Sequence, residues 1–297
     1  MLNKSSFNWF PGHMNKSIKE IEKILPIIDL VIEIVDARAP LATQNQIFKK
    51  LLNKTLKLII MTKGDLADES TSNLWIEYFK KLNIKVYLIK SKQQNILTDV
   101  LKLIKLITED RQKKLKAKGI ETPHQNILIV GIPNVGKSTV ISKLCKGKTL
   151  KIANRPGVTI GLHRINMTQQ ITLIDSPGIL PSKFIDEKSA YTCAAVNTIK
   201  LTAIPKVKFA ITLMLYLYES YHLAIAKVYH LNNLFPHSLD FKNIDNIFQH
   251  IAQTNNFLLA DKTIDIKKSY DLFINDLLHN KFGRISFESP IEIENQV

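Results

Sequence analysis

The sequence predicts an α/β fold followed by a smaller, all-helical part. Two observations carry this reading. Apolar runs rich in β-branched residues alternate with helical patterns as far as Asp175, and this alternation argues for a mostly parallel sheet covered on both faces. From about Asp186 onward strand signals are few and amphipathic helical patterns dominate. A chain of 297 residues has room for both parts, at roughly 150 residues per domain.

In chain order, Ser17–Leu25 carries apolar residues at 18, 21, 24 and 25, the spacing of one helix face. Asp29–Ala37, Lys57–Thr62 and Ile84–Lys90 read as strands, with helices over Gln44–Leu52 and Ser70–Leu82 between them. Leu97–Lys118 is a long amphipathic helix with a basic end. Asn126–Val130 is a strand that runs into a glycine turn, and Ile171–Asp175 is another strand. Pro177, Pro181 and Pro205 punctuate the transition to helices over Phe209–His230, Phe241–Asn255 and Lys267–Leu278. The expected division is an α/β domain over 1–182, a linker over 183–200 and a helical domain over 201–297.

Composition excludes several classes. A hydrophobic fraction of 45% with 23% charged residues is that of a globular chain, not a disordered one. Two cysteines, Cys145 and Cys193, make no disulfide framework and fit a reducing compartment. The apolar run Phe209–Tyr218 is too short to cross a bilayer, and Met1–Trp9 has neither signal-peptide nor transit-peptide character, so the expected location is the cytoplasm. The net charge of +15 points to a polyanionic partner. Part of that charge is compositional, because lysine, isoleucine and asparagine are all abundant and only five of the 41 basic residues are arginine. Four of the five (Arg38, Arg155, Arg164 and Arg284) fall in or beside motifs, where a planar, multidentate donor is expected.

The chemistry is carried by three motifs. Gly131-Ile-Pro-Asn-Val-Gly136-Lys137-Ser138 fits the phosphate-binding loop G-x-x-x-x-G-K-[ST], and it follows a strand and opens a helix as that loop requires. Its backbone amides would wrap a β-phosphate, Lys137 would neutralise the β- and γ-phosphates, and Ser138 would ligate Mg²⁺. Asn134, Val135, Gly136, Lys137, Ser138 and Thr139 are therefore the expected nucleotide contacts. Asp175-Ser-Pro-Gly178 ends a strand about forty residues later. Alone it is a common turn; behind a phosphate loop it reads as the second phosphate motif, with Asp175 holding Mg²⁺ through water and the Gly178 amide facing the γ-phosphate. Thr159, between the two, offers a further hydroxyl to the metal.

Thr62-Lys63-Gly64-Asp65 has the N/T-K-x-D form that reads guanine: the carboxylate accepts from N1–H and the 2-amino group, and the lysine stem lies along the ring. Lys90 and Ser91, after the next strand, would sit beside the same base. The tetrapeptide is weak by itself, and its position is what discriminates. Ras-like GTPases place the phosphate loop first and the base-reading motif last; here the base-reading motif comes first. The fold class expected is thus a circularly permuted Ras-like P-loop GTPase domain with a small all-helical C-terminal domain.

Phe10-Pro-Gly-His-Met14-Asn-Lys, Val35-Asp-Ala-Arg-Ala-Pro40, the phosphate loop, Asn154-Arg-Pro-Gly-Val-Thr159 and Phe282-Gly-Arg-Ile-Ser-Phe-Glu288 together resemble the ribosome biogenesis GTPase A family (YlqF/RbgA). The resemblance is tightest over residues 7–180 and looser over 190–297, and Thr192–Lys206 departs from it. It implies a GTP hydrolase that is stimulated by the large ribosomal subunit, acts late in the assembly of that subunit, and binds RNA through its helical domain. The implied partners are the large-subunit precursor and its rRNA, with no membrane and a monomer off the ribosome. The implied cofactors are GTP or GDP, Mg²⁺ and K⁺. Where Ras-like enzymes place a water-orienting glutamine, this chain has Ile179, and the resemblance assigns the catalytic role to His13 instead. Asn134 is the implied K⁺ contact, and Thr62 stands where the family usually has asparagine. An alternative stays open: a GTP-binding RNA scaffold or switch acting on another RNA client, with little intrinsic hydrolysis. In the helical part, Tyr216, Tyr218, Tyr221 and Tyr229 read as core or as RNA-stacking groups, and Lys200, Lys206 and Lys208 as a phosphate-contacting or merely solvated face.

Overall fold

A computed structural model describes residues 12–120, 123–145, 161–181, 184, 186–231 and 241–291. Six strands form one sheet: β1 (Leu30–Asp36), β2 (Lys57–Thr62), β3 (Lys85–Leu88), β4 (Gln125–Val130), β5 (His163–Asn166) and β6 (Ile171–Asp175), in spatial order β3-β2-β1-β4-β6-β5. Every pairing is parallel except that of β5 with β6. Counted from β4, the strand that enters the phosphate loop, the order is 2-3-1-4-5-6 with the second strand alone antiparallel. That is a Ras-like sheet whose chain has been cut between the third and fourth strands, as the motif order requires.

The central strands are buried on both faces, which is why they read as continuous apolar runs rather than alternations. Their side chains still divide with period two. Leu58 and Ile60 join the larger core, while Ile59 and Met61 enter a smaller one with Val35, Trp75 and Phe79 beneath helix α3 (Glu69–Lys81). Helices α1 (Gly12–Ile24), α2 (Gln46–Leu51), α4 (Leu97–Ala117) and α5 (Lys137–Leu144) complete the α/β part. Two helices of this part, α2 and α3, start on side-chain caps: Asn45 accepts from the Ile47 amide and Asp68 from the Thr71 amide.

Beyond β6 lie α6 (Glu187–Ala195), α7 (Lys206–Tyr229), α8 (Phe241–Thr254) and α9 (Ile266–Leu278). Strand β5 and helix α6 are the elements the sequence did not announce. The four residues of β5, His-Arg-Ile-Asn, form an edge strand too polar to show an apolar run. Helix α6 lies within the stretch expected as a linker, and Ala190–Ala195 within it are all buried. Its Cys193 thiol donates to the Ala42 carbonyl in the α/β part at 3.1 Å, and its Tyr191 ring meets Phe209 of α7 edge-on. One continuous apolar core therefore runs through both parts.

By length and composition α7 is apolar enough to span a bilayer, although its uninterrupted apolar run is short. Its buried residues, among them Phe209, Leu213, Leu217 and Ile225, are packed against protein. The tyrosines divide. Tyr218 and Tyr229 are buried, and the Tyr229 hydroxyl donates to Asp276 at 3.1 Å. Tyr221 sits at a break in the helix, where its hydroxyl accepts the Ser286 amide. Lys200, Lys206 and Lys208 are all exposed; Lys206 pairs with Asp271 and Lys208 with Glu187, while Lys200 makes no ion pair to the described residues.

Candidate functional site

The C-terminal ends of parallel strands are where an α/β sheet binds ligands, and the predicted motifs collect there. The loop after β4 carries Gly131–Ser138, β6 ends at Asp175, and Thr62–Asp65 leaves β2. Helix α5 begins without a side-chain cap: Gly136 is its N-cap in the left-handed region (φ 98°), a conformation glycine adopts at little cost. The amides of its first turn are thus left for an anion. Asp175-Ser-Pro-Gly178 lies against this loop, since a Cβ on Gly178 would come within 3.0 Å of Pro133. Ser138 and Thr139 are exposed on the first turn of α5, and Val135 is buried.

The buried charges of this half are compensated only in part. Burial pushes the Lys137 ammonium down from its ordinary value, opposed by Asp175. It pushes the Asp175 carboxyl up, opposed by Lys137 and His163. Asp175 Oδ1 is buried with no hydrogen-bond partner among the described residues. An orphaned carboxylate oxygen at the end of β6 and an exposed serine hydroxyl on the first turn of α5 are oxygen donors of the kind that suit Mg²⁺, which takes a few protein oxygens and fills its shell with phosphate and water.

The base-reading side is braced instead. The Thr62 hydroxyl lies 2.6 Å from the Val135 carbonyl and 3.1 Å from that of Val35. Having one proton, it donates chiefly to Val135 and ties β2 to the phosphate loop, so this threonine performs a bracing role for which one hydroxyl suffices. Lys63 donates to the Asn134 carbonyl at 3.1 Å and pairs with Asp36 at 2.8 Å. The Gly64 amide donates to Ile89. Asp65 is half-buried, and its carboxylate makes no hydrogen bond or ion pair to the described residues. Ser91 and Lys90 follow β3 on the same edge; the Lys90 amide is held by Gln94 at 2.7 Å, and its ammonium lies 3.9 Å from Glu69.

Two expected residues fall outside this geometry. Thr159 lies outside the described residues, as does the side chain of His13, whose backbone opens the first turn of α1. Ile179, at the glutamine position of Ras-like enzymes, is wholly buried, and its carbonyl accepts from Asn45 at 2.7 Å. Asn134 donates through its amide nitrogen to the Asn197 carbonyl at 3.2 Å, so the phosphate loop touches the segment after α6.

Several residues not picked as site residues stand around the site. Arg38 is buried and reaches Asp36 through Nε and Nη2, the Val196 carbonyl through Nη2 and Asn280 Oδ1 through Nη1. Arg284 reaches the Ala67 and Gly64 carbonyls and Glu69. The scarcity of arginine is the signal that points to both. Arg164 is exposed on β5 with no partner among the described residues, and Arg111, outside the motifs, pairs with Asp29 at 2.7 Å. A cavity of about 530 Å³ lined by Glu22, Asp29, Asn53 and Arg111 lies at the opposite ends of the strands and takes no part in this site.

Residues 126–227 match the family model described as 50S ribosome-binding GTPase. Ribosome biogenesis GTPase A of Bacillus licheniformis is 35% identical over 95% of this chain and 98% of its own length. The chain belongs to the ribosome biogenesis GTPase A family. The probable ribosome biogenesis GTPase A of Mycoplasma genitalium is 30% identical, over 96% of this chain and 97% of that relative. A crystal structure of GNP-bound YlqF from T. maritima superposes with a TM-score of 0.58 at 26% identity, covering 93% of this chain and 98% of that one. As a member of this family the chain is a circularly permuted GTPase, a GTP hydrolase of ribosome biogenesis that binds guanine nucleotide.

Proposed function

We propose that the chain binds a precursor of the large ribosomal subunit through its rRNA, as a cytoplasmic monomer, and hydrolyses GTP to time a late step in that particle's assembly. The observation that carries the site assignment is the juxtaposition of an uncapped α5, a partnerless buried Asp175 and a braced Thr62–Asp65 loop on one edge of the sheet. In this reading Lys137 and the amides of Asn134 to Thr139 hold the phosphates, and the Gly178 amide meets the γ-phosphate. Asp65 accepts from guanine N1–H and the 2-amino group, Lys63 lies along the ring, and Lys90 and Ser91 close the base pocket beside the Gly64 backbone. Ser138, Thr159 and Asp175 hold Mg²⁺, which when bound neutralises charge on the β- and γ-phosphates. His13 orients the attacking water or takes its proton, since the buried Ile179 side chain has no polar atom to do so. Asn134 keeps Oδ1 for a K⁺ ion after its amide nitrogen is spent on Asn197.

The test is GTP turnover with and without isolated large subunits, for the wild type and His13→Ala. Stimulation of the wild type and its loss in the variant, with GTP binding retained, is the expected result. A wild type that subunits do not stimulate sinks the proposed timing role. The burial of Ile179 favours one second reading, a GTP-holding RNA scaffold of low intrinsic rate, and subunit binding without any turnover would be its signature. Turnover compared in potassium and sodium tests Asn134, and equal rates in the two count against the K⁺ site.

A further inference from the structure

Asp36 ends β1 and is fully buried, yet it serves two cations that belong to different tasks. One carboxylate oxygen, Oδ2, lies 2.8 Å from Lys63 Nζ, the lysine of the base-reading motif. The same oxygen lies 2.9 Å from Arg38 Nη2, and Oδ1 accepts from Arg38 Nε and from the Arg38 amide, both at 3.0 Å. The outer edge of the Arg38 guanidinium faces the helical part: Nη2 reaches the Val196 carbonyl at 3.3 Å and Nη1 reaches Asn280 Oδ1 at 3.1 Å. The Arg38 carbonyl then accepts the Phe287 amide at 2.7 Å. Lys63 continues the line on its other side to the Asn134 carbonyl, and Asn134 itself holds Asn197. A circuit of bonds, charge-assisted at Lys63, Asp36 and the Arg38 guanidinium, thus runs from the phosphate loop to the segments that follow α6 and α9.

We propose that Asp36 and Arg38 are positioning residues that couple Lys63 to the seating of the helical domain, so that guanine-nucleotide binding and closure of that domain strengthen each other. The proposal rests on the assignment of Lys63 to the base. Its physical ground is the shared carboxylate. A buried anion must be fully paired, so movement of Lys63 toward or away from a nucleotide changes how firmly Asp36 holds the arginine fork. The fork is planar, and a change at its Asp36 edge is carried to Val196 and Asn280 at the other. Coupling of this kind is reciprocal by thermodynamic necessity.

The test uses Asn280→Gly, which removes one partner of Arg38 at a half-exposed site; Asn280 has φ 57°, so glycine keeps the backbone. Affinity for fluorescently labelled GDP is measured for the full chain, for Asn280→Gly, for Lys63→Ala and for the double variant. Asn280→Gly should weaken GDP about 3- to 10-fold when Lys63 is present and less than about 2-fold when it is absent. Equal weakening in both backgrounds would show general loosening, and no weakening in either would show an idle contact; each overturns the proposal. If Lys63→Ala alone leaves GDP affinity unchanged, the base assignment falls and the coupling falls with it, a pattern distinct from the other two. Arg38→Lys keeps the charge beside Asp36 but loses the fork, and it should reproduce Asn280→Gly. Hydrogen exchange gives an independent reading: saturating GDP should slow exchange of the Phe287 amide in the wild type and do so less in Lys63→Ala. Slowing of equal size in both would contradict the coupling.

Discussion

The two halves of the nucleotide site are built on opposite principles. On the base-reading side the bracing polar groups already have protein partners: Thr62 has Val135, Lys63 has Asp36 and Asn134, and the Gly64 carbonyl has Arg284. On the phosphate side α5 is uncapped, Asp175 has a buried oxygen without a partner, and Lys137 makes no hydrogen bond or ion pair to the described residues. In the proposed site the first half is braced in advance and keeps the Asp65 carboxylate without a protein partner among the described residues. The second is an unfinished cradle whose buried charges, which offset each other only in part, would be satisfied by the proposed phosphate and metal. Binding energy on the phosphate side is therefore partly relief of desolvation, and nucleotide should stabilise that half more than the other.

Predictions that break or sharpen this contrast run from large effects to small. Asp36→Asn should cost about 3–5 kcal/mol of stability, because it leaves Arg38 and Lys63 buried or half-buried without their anion. Denaturant unfolding without nucleotide measures it, and a loss below about 1 kcal/mol would deny Asp36 its central place. Lys137→Ala should weaken GTP about 100-fold, equivalent to about 3 kcal/mol, while leaving the nucleotide-free unfolding midpoint unchanged or higher. A fall in that midpoint would mean Lys137 is satisfied without ligand. Arg284→Ala should cost about 1–2 kcal/mol and loosen Gly64 and Ala67, visible as faster exchange of the Leu66 and Ile285 amides.

The smallest effect separates the two carboxylates by sign. Burial would raise the Asp36 carboxyl, but Arg38 and Lys63 outweigh it and hold the group below its ordinary 3.8. Its stabilisation is complete above 3.8 and is lost as pH falls through the lower folded value. Asp175 is raised, so the folded protein binds more protons than the unfolded one, and stability without nucleotide falls as pH climbs from 3.8 through the raised folded value. Asp175→Asn should accordingly stabilise the nucleotide-free protein near neutral pH by about 1 kcal/mol while weakening Mg²⁺-dependent GTP binding. A destabilised Asp175→Asn protein would contradict the picture of an unpaired carboxylate.

Much of this was legible in the sequence because it depends on local pattern. The strands over Lys57–Thr62 and Ile171–Asp175 fall where the β-branched runs place them, and the phosphate loop sits between strand and helix as its glycines demand. The permutation was readable from motif order alone. Three features were not. Strand β5 is polar because it lies at an edge, and helix α6 is a string of small residues whose burial depends on what packs around it. The Asp36–Arg38 pair was visible only as part of a family-like motif, since its partners Val196 and Asn280 lie 158 and 242 residues away along the chain. Charge pairing across such separations leaves no periodic trace in sequence.

The hold of Arg284 on Gly64 and Ala67 has a consequence for the birth of the molecule. The Thr62–Asp65 loop emerges early in synthesis, but the side chain that grips it is joined 220 residues after Gly64. Until residue 284 has left the ribosome that makes it, the loop lacks that grip and must fold without this brace or wait for it. A GTPase of ribosome biogenesis thus completes the bracing of its own Thr62–Asp65 loop only after its synthesising ribosome has added the 220 residues that follow Gly64.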